Sequence, residues 1–365
     1  MNVLHIDEQL GWRGGEQQAS YLIRGLVDRG HHVVLAGRPD SRFLSADHGV
    51  GDVPRIEATF VGELDLWTVA KLAATVRQHR IDILHAHTSH AHTYACLARA
   101  LAGYGKVVVS RRVDFAPNSN WLNRWKYRSP DRIIAISECV AGILRNFGVD
   151  PARISVVHSG IDPKRFDVPP LPRKELGVPA DAPLLGNVAA LVDHKDHATL
   201  IAAMPQILQE LSALHLIIAG EGELRPALEA QVAQLGMQRS VHLLGYREDV
   251  PRLMRTFDAF VLSSKWEGLG TSVLDAMACG LPIAATAGGG IPEMVEHERT
   301  GLLAPPRDPP AIAQAIVRLF RDKNLAEALA RNAKALVHDH FTVNHMVEGN
   351  LRAYFTLNRD SHEWH

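Results

Sequence analysis

The sequence predicts an α/β protein of two domains, each with a parallel sheet covered by helices on both faces. Three observations lead to this prediction. The chain has 365 residues, which is more than one domain usually holds. Short apolar runs without polar alternation are separated by longer amphipathic stretches, as in parallel strands joined by helices. Residues 162–183 contain six prolines in 22 positions, which predicts a linker between two such halves.

Each half of the chain repeats this alternation of strands and helices. In the first half we predict strands at 3–6, 32–36, 81–86, 106–110, 132–136 and 154–157, with helices that include 16–28, 66–79, 90–102 and 138–147. In the second half we predict strands at 184–189, 215–219, 241–244, 259–262 and 283–285, with helices that include 199–209, 225–234 and 272–279. We therefore expect two Rossmann-like domains, residues 1–165 and residues 166–344, that face each other across a cleft. In such sheets ligands bind at the carboxyl ends of the strands, so the candidate sites are sought there.

The composition is that of a soluble globular protein, with 46% hydrophobic and 22% charged residues. The 39 basic and 40 acidic residues nearly cancel, so we expect no nucleic-acid partner. Three scattered cysteines indicate a reducing compartment rather than a disulfide framework. No apolar run is long enough to span a membrane, and the N-terminus lacks the features of a signal peptide. We therefore expect a cytoplasmic protein.

A glycine-rich loop follows the first predicted strand. Gly14 and Gly15 directly precede a long amphipathic helix. Glycine lets a ligand approach the backbone closely, and free amides at the start of a helix favour an anion. The loop has neither the GxGxxG spacing nor the Lys-Ser/Thr of a P-loop. A phosphate site and a tight turn without a ligand both stay open at this point.

The strongest pattern lies after the predicted strand at 259–262. Its loop carries Glu267, Gly268 and Gly270, and the helix that follows carries Asp275. Amides at the start of that helix could hold a diphosphate, while carboxylates on either side could bind hydroxyl groups, as an acidic residue binds ribose in dinucleotide folds. This pattern indicates a site for an anion flanked by polyols, which describes a sugar nucleotide.

This stretch resembles the signature of the retaining glycosyltransferase family 4, whose members have the GT-B fold. That signature is Glu-Gly-x-Gly, then a helix with Glu, then Ala-Met-Ala-x-Gly-x-Pro. The chain has Glu267 to Gly270, then Asp275, then residues 276–282 in the same order. Further segments resemble other landmarks of the family: GWRGGEQQASYLIRGLVDRGHHV, DRIIAISECVAGIL, ISVVHSGIDPKRF, LHLIIAGEGE, VHLLGYREDV and GGGIPEMVEHERTGLLAPP.

The resemblance implies a metal-independent enzyme without a cofactor, which moves a sugar from a nucleotide-diphosphate sugar to a hydroxyl acceptor with retention of anomeric configuration. Glu267 would contact hydroxyls of the transferred sugar, and Lys195 would neutralise the donor diphosphate. These two are the expected catalytic residues. A C-terminal helix at about 345–365 would pack back on the first domain. The expected donor-binding residues are Gly14, Gly15, Lys195, Glu267, Gly268, Leu269, Gly270, Thr271 and Asp275.

The chain departs from the family at three places. Asp275 is one methylene shorter than the family's ribose-binding glutamate. Ala190 stands where many members have an arginine, so another base, such as Arg247 or one from the first domain, would have to assist Lys195. Two arginines, 111 and 112, stand where many members have a histidine. A guanidinium cannot act as a base near neutral pH and suits an anion, which fits a mechanism in which the departing phosphate assists the acceptor.

The acceptor-side candidates are His87, Arg111 and Arg112. His87 belongs to the run HAHTSHAH, in which the spacing of His85, His87 and His90 could bind zinc. The chain has no Asp-x-Asp motif, and the run contains no cysteine that could act as a further ligand. We therefore predict no metal. A role for His87 in lining the cleft and a purely structural role both stay open.

A basic and aromatic stretch follows at residues 111–128. It carries Phe115, Trp121, Trp125 and Tyr127 among five basic groups and one acid. Such a face suits a phosphorylated glycolipid, an anionic polysaccharide precursor or an anionic membrane surface, since basic groups and aromatic rings favour a membrane interface. We therefore expect a glycan or glycolipid acceptor and peripheral membrane contact. The alternative is a helix whose aromatic side chains pack on its own domain.

Two other functions stay open from the sequence. One is a sugar-nucleotide epimerase, or another non-transferring enzyme, on a similar fold. The other is a two-lobed binding protein. The nucleotide, the sugar, the acceptor and the oligomeric state cannot be read from these residues, because variable loops set specificity.

Overall fold

The computed structural model describes residues 1–45, 48–62 and 65–359. It divides the chain into two compact units. Unit 1 comprises Met1–Gly160 and the C-terminal helix that begins at Val343, and unit 2 comprises Ile161–Thr342. These divisions lie five and two residues before the boundaries at 165 and 344 that we expected. Both sheets are parallel throughout.

Unit 1 contains a seven-stranded sheet with helices on both faces. Its strands are β1 (Asn2–Asp7), β2 (His32–Gly37), β3 (Arg55–Glu57), β4 (Ile83–Ala86), β5 (Lys106–Arg111), β6 (Arg132–Ala135) and β7 (Ile154–Val156), in the order β3-β2-β1-β4-β5-β6-β7. Its helices include α1 (Gly14–Val27), α2 (Arg42–Ser45), α3 (Leu66–Gln78), α4 (Ser89–Ala102), α5 (Trp121–Arg128) and α6 (Glu138–Phe147). The central strands are buried on both faces, which is why they read as continuous apolar runs.

Unit 2 repeats the architecture with six strands. They are β8 (Leu184–Val188), β9 (His215–Ala219), β10 (Val241–Gly245), β11 (Ala259–Leu262), β12 (Ile283–Thr286) and β13 (Leu302–Ala304), in the order β10-β9-β8-β11-β12-β13. The helices are α7 (His197–Glu210), α8 (Arg225–Gln234), α9 (Val250–Met254), α10 (Thr271–Cys279), α11 (Pro309–Arg321) and α12 (Lys323–His340). The sequence pattern missed β3 and β13, which have three residues each, although it predicted β7 of the same length.

The proline-rich stretch 162–183 is not a free linker, so that prediction is wrong. It belongs to unit 2, where Phe166, Leu171 and Leu176 are buried. Two short 3₁₀ turns form within it, and the backbone amide of Leu171 donates to the hydroxyl of Thr256 at 2.8 Å. Proline tolerates such turns, and the apolar residues between the prolines anchor the stretch.

The last helix, α13 (Val343–Arg359), packs on unit 1 against α1. The two helices come so close at Gly25 that a Cβ atom there would lie 2.4 Å from Cγ2 of Val347. A second close approach occurs at Gly349, where a Cβ atom would lie 2.6 Å from Cγ1 of Val157. The hydroxyl of Tyr354 reaches the imidazole of His85 on β4 at 2.5 Å. Small residues therefore set the distance between this helix and unit 1.

We expect Gly25→Ala to lower the free energy of unfolding by about 1–3 kcal/mol, because the added methyl group overpacks the contact with Val347. Val347→Ala in the same chain should restore part of the loss. The matched control is Gly142→Ala in α6, where nothing lies within 4 Å and where alanine should stabilise the helix by about 0.4–1 kcal/mol. Urea unfolding followed by circular dichroism measures all four proteins. Equal stability of the Gly25→Ala and Gly142→Ala variants would refute the contact.

Candidate functional site

The start of α10 lies at the carboxyl end of β11. Gly270 is the N-cap residue, with φ of +86°, and no side chain caps the helix there. A Cβ atom at Gly270 would lie 2.6 Å from Cδ1 of Ile291, so both the backbone angle and the packing require glycine. With no side chain in the cap position, the amides and the positive end of the helix dipole can receive an anion.

A lysine and a carboxylate meet beside this helix start. Nζ of Lys195 lies 2.5 Å from Oε1 of Glu267, and the hydroxyl of Ser264 donates to the same oxygen at 2.6 Å. The side chains of Lys195 and Glu267 are only 18% and 7% exposed. Lys195 ends a short turn after β8, and Glu267 lies in the loop after β11. Because β8 and β11 are neighbours, the sheet brings these loops together.

The glycines after β12 hold the Glu267 loop in place. The amide of Gly290 donates to the carbonyl of Glu267 at 2.8 Å. A Cβ atom at Gly289 would lie 2.1 Å from that carbonyl oxygen, and one at Gly288 would lie 2.5 Å from the carbonyl oxygen of Lys265. Only glycine allows this approach. Sequence reasoning missed this role, and it missed Ser264, although the GGG run itself was a visible signal.

Asp275 lies on the second turn of α10, in the same unit as Glu267. Its Oδ1 is buried and has no hydrogen-bond partner among the described residues. Burial raises the pKa of this carboxyl group to about 6, and the charge of Arg165 opposes that shift. An unpartnered buried acceptor of this kind can receive a hydroxyl group of a ligand.

Arg247 is paired with an acid in this structure, and its expected assistance to Lys195 stays a prediction. Its Nε and Nη2 atoms bond both carboxylate oxygens of Asp249, at 2.8 and 2.6 Å. Lys265 lies in the same loop as Glu267, but its Nζ lies 2.7 Å from Oδ1 of Asp193. Lys195 is paired with an acid as well, but it lies beside the start of α10, and its contact with the donor diphosphate stays a prediction.

In unit 1, the predicted glycines begin α1 at the carboxyl end of β1. Gly14 is the first residue of the helix, and Oε2 of Glu16 accepts a hydrogen bond from the amide of Arg13 at 2.6 Å. Asp7 lies close by, and burial raises its pKa to about 8, with the charges of Glu16 and Glu8 adding to the rise. Glu16, which already accepts from the Arg13 amide in the first turn, weakens the attraction of this helix start for a phosphate. The donor contact of Gly14 and Gly15 stays a prediction.

The two arginines after β5 have different surroundings. Arg112 lies against Gly15, whose added Cβ atom would be 3.6 Å from Cδ of Arg112, and burial lowers the pKa of Arg112 to about 10, so it stays charged at neutral pH. Arg111 donates to the hydroxyl of Tyr127 and to the carbonyl of Phe115. Arg111 therefore holds the stretch 111–128 in place, and these contacts give no support to its expected role towards an anionic ligand.

His87 belongs to a buried cluster with His5 and His85. His5 Nδ1 and His87 Nε2 lie 2.8 Å apart, and His85 hydrogen-bonds Tyr354 at 2.5 Å and Ser110 at 2.8 Å. Burial lowers the pKa of all three histidines, that of His5 to about 3, so they are neutral at pH 7.

Nitrogens of these three histidines lie within 4.8 Å of one another, close enough for a metal ion. Both nitrogens of His85 already have partners, however, so an ion would have to displace Tyr354 or Ser110. The histidine grouping is not the one that the spacing suggested, since His90 is 48% exposed and lies near Glu8 instead. The absence of a metal stays a prediction.

The aromatic side chains of 111–128 separate into buried and exposed ones. Tyr127 is buried, whereas Trp121 is 79% exposed and Phe115 is 64% exposed. Lys126 is buried and its Nζ lies 3.0 Å from the hydroxyl of Ser89, so it is not part of a basic surface. Tyr127 thus packs on the core, whereas the role of the exposed surface around Trp121 stays open. Among the described residues, no helix is long and apolar enough to span a membrane.

Comparison with known proteins matches both units to families of glycosyltransferases. Residues 12–165 match the family described as Glycosyltransferase Family 4, and residues 171–336 match Glycosyl transferases group 1. The N-acetyl-alpha-D-glucosaminyl L-malate synthase of Bacillus anthracis is 27% identical over 81% of this chain and 80% of its own length. The UDP-Gal:alpha-D-GlcNAc-diphosphoundecaprenol alpha-1,3-galactosyltransferase of Escherichia coli is 26% identical over 78% of each chain. Another relative is matched over only 55% of its length.

Solved structures show the same fold. HepE of Anabaena, in complex with UDP and glucose, has a TM-score of 0.86 at 23% identity, over 98% of this chain and 100% of that chain. The complex of HepE with UDP-glucose gives 0.84 at 25% identity. The expected fold class, two Rossmann-like α/β domains of GT-B type, is thereby confirmed. The chain belongs to the glycosyltransferases of the GT-B type. Its first part matches Glycosyltransferase Family 4, and its second part matches Glycosyl transferases group 1.

Proposed function

We propose that this glycosyltransferase moves a sugar from a nucleotide-diphosphate sugar to a hydroxyl group of a glycolipid or polysaccharide precursor, without a metal and with retention of configuration. The observation that carries the proposal is the pairing of Lys195 with Glu267 beside the open start of α10. A cation and helix amides suit a leaving diphosphate, and a fixed carboxylate suits the hydroxyl groups of a sugar.

Each of these groups has a distinct task in the proposed reaction. As the bond between sugar and diphosphate breaks, negative charge grows on the diphosphate, and Lys195 and the amides of Gly270 and Thr271 stabilise it. Glu267, held by Ser264, orients the sugar through its hydroxyl groups. Asp275 accepts a hydrogen bond from the ribose. The nucleotide to test first is UDP, because HepE was solved with UDP-glucose and the E. coli relative is named for a UDP-Gal donor.

The acceptor-side candidates of unit 1 are poor bases, which fits retention of the anomeric configuration. Arg111 and Arg112 are poor bases, and the buried His87 has a lowered pKa. We infer that the departing phosphate takes the proton of the acceptor hydroxyl, so that the new bond forms on the face from which the diphosphate leaves.

One observation favours inversion instead. Asp7 has an Oδ2 atom without a partner among the described residues and a pKa raised to about 8, as a general base would need.

The acceptor proposal depends on the exposed aromatic surface. Phe115, Trp121 and the basic side chain of Arg124 are exposed on or beside α5. This surface suits the interface of an anionic membrane on its cytoplasmic side, where a lipid-linked acceptor would be reached. The E. coli relative is named for a diphosphoundecaprenol-linked acceptor, whereas the B. anthracis relative is named for L-malate. A small soluble acceptor is therefore the competing proposal.

We expect sugar transfer by the wild type, and Lys195→Ala and Glu267→Ala should each lower kcat by about 30-fold to 1000-fold, because one stabilising contact to the transition state is lost. The control is Glu327→Ala on α12, where the carboxylate is 71% exposed. Mass spectrometry of products from a panel of nucleotide sugars and acceptors gives the activity. Nuclear magnetic resonance of the product gives the anomer.

Near-normal turnover of both variants would show that Lys195 and Glu267 do not form the catalytic site. An inverted product whose formation is lost in Asp7→Asn would replace retention by base catalysis from Asp7. A product formed from the donor without any acceptor would point to an epimerase.

We expect donor affinity to fall as the pH drops through about 6, because protonated Asp275 no longer accepts the ribose hydroxyl as a carboxylate. In Asp275→Asn, donor binding should be about 5-fold to 100-fold weaker and should lose this pH dependence. Asp275→Glu should bind well and keep a pH dependence. Calorimetric titration with UDP between pH 5 and pH 8 tests this. A wild-type profile that persists in Asp275→Asn would place the titrating group elsewhere.

We expect peripheral binding to anionic vesicles at low salt, which weakens at high salt because surface charges are screened. Phe115→Ala with Trp121→Ala and Arg124→Ala should reduce flotation with the vesicles and leave donor hydrolysis intact. The control is Leu101→Ala with Arg145→Ala, which removes one exposed apolar and one exposed basic side chain elsewhere on unit 1. Wild-type protein that stays out of the vesicle fraction at low salt would favour the soluble acceptor.

A further inference from the structure

We propose that unit 1 carries a second ligand site, which binds a phosphate or diphosphate group at the amino edge of its sheet. The site is a cavity of about 650 Å³. That size lies within the range of small-molecule sites in proteins. Its walls come from α4, from the starts of β5 and β6, from the end of α5, from the turn before β7 and from α13.

The cavity lies apart from the donor residues and from the carboxyl edge of the sheet, although Trp125 and Arg128 of the stretch 111–128 line it. Lys106 and Arg132, which line it, are the first residues of β5 and β6. β5 ends at Arg111, so roughly 16 Å of strand separates the cavity from the carboxyl edge, at about 3.3 Å per residue. The donor residues of unit 2 do not contribute to its walls.

The charge of the lining favours an anion. Two acids also line the cavity, and both already have partners: Asp131 lies 3.5 Å from Nζ of Lys106 and accepts from the amide of Val107 at 2.8 Å, and Asp150 accepts from the amide of Ala152 at 2.9 Å. The basic residues of the lining are Arg99, Lys106, Arg128, Arg132 and Arg153. Five cations against two acids leave an excess of three positive charges.

Two of these arginines are fixed in place and still have a free donor. Nη2 of Arg99 donates to the carbonyl of Ser129 at 3.4 Å, and Arg132 donates to the carbonyl of Ala152 and the hydroxyl of Thr356 at 2.9 and 3.2 Å. The Nε atoms of Arg99 and Arg132 are buried, and neither finds a hydrogen-bond partner among the described residues. Both Nε atoms are closed to solvent, so a phosphate in the cavity would meet the outer nitrogens of these guanidinium groups, which can bind several phosphate oxygens.

Apart from Ser129, the rest of the wall is apolar. Cys96 and Leu357 are buried, and the indole of Trp125 is 38% exposed at the rim. An aromatic ring beside arginines offers a stacking surface for the uncharged part of a ligand. The lining therefore fits an organic phosphate, either free in solution or as the headgroup of a lipid.

The experiment is a calorimetric titration of the full chain with inorganic pyrophosphate. It is done in the Lys195→Gln background, which weakens binding at the donor site. Arg99→Gln and Arg128→Gln should each weaken binding by about 10-fold to 100-fold, because a charged hydrogen-bond donor is lost. Arg128 is exposed, so its replacement spares the core. The control is Arg145→Gln on α6, which removes the same charge outside the cavity and should bind as well as the parent.

Two further arms identify the source of the phosphate. Vesicles with and without phosphatidic acid test a lipid headgroup, and soluble glycerol 3-phosphate tests a free organic phosphate. Dependence of either arm on Arg128 supports the site and names its source. No binding of pyrophosphate by the parent, or equal binding by the Arg99, Arg128 and Arg145 variants, overturns the proposal. Titration of the wild type with UDP reports the donor site separately, so failure of one proposal does not imply failure of the other.

Discussion

The contact between Lys195 and Glu267 is the interaction on which the candidate site depends. Two opposite charges that are largely withdrawn from water cost desolvation energy, which their attraction does not always repay. Such a pair contributes little to stability by itself, which agrees with the ligand-binding role that we propose for it. When a diphosphate enters, Lys195 can share its charge with the phosphate, and Glu267 becomes available to hydroxyl groups. The two side chains are thus already positioned for the ligand that we propose.

The strand order explains why these residues meet. In unit 2 the order reverses direction between β8 and β11, and Lys195 and Glu267 follow these two strands. In unit 1 the order reverses between β1 and β4, and Asp7 and His87 lie at the ends of these strands. Parallel sheets open a crevice where the order reverses, because the connecting helices pass to opposite faces. Both units therefore place their polar residues where the fold leaves room.

Much of this could be predicted from the sequence, because periodicity and loop chemistry are local. The strands with buried faces, the glycine at the start of α10 and the residues Lys195, Glu267 and Asp275 all lie in patterns that the sequence displays. The remaining features depend on contacts between distant segments. Ser264 and Gly289 act through Glu267, and the burial of Lys126 depends on the start of α4. Composition misled us at 162–183, because proline counts do not show whether the residues between them are buried.

The distribution of charge in unit 1 cannot be read from a count either. The first 165 residues contain 21 basic and 16 acidic residues, but this count does not show where an anion could bind. At the carboxyl edge, however, Asp7 and Glu16 lie near the charge of Arg112, and Arg111 is bound to Tyr127. At the opposite edge of the sheet, the cavity is lined by five basic and two acidic residues. We therefore expect a hydroxyl-bearing acceptor at the carboxyl edge, and we place our proposed phosphate site at the amino edge.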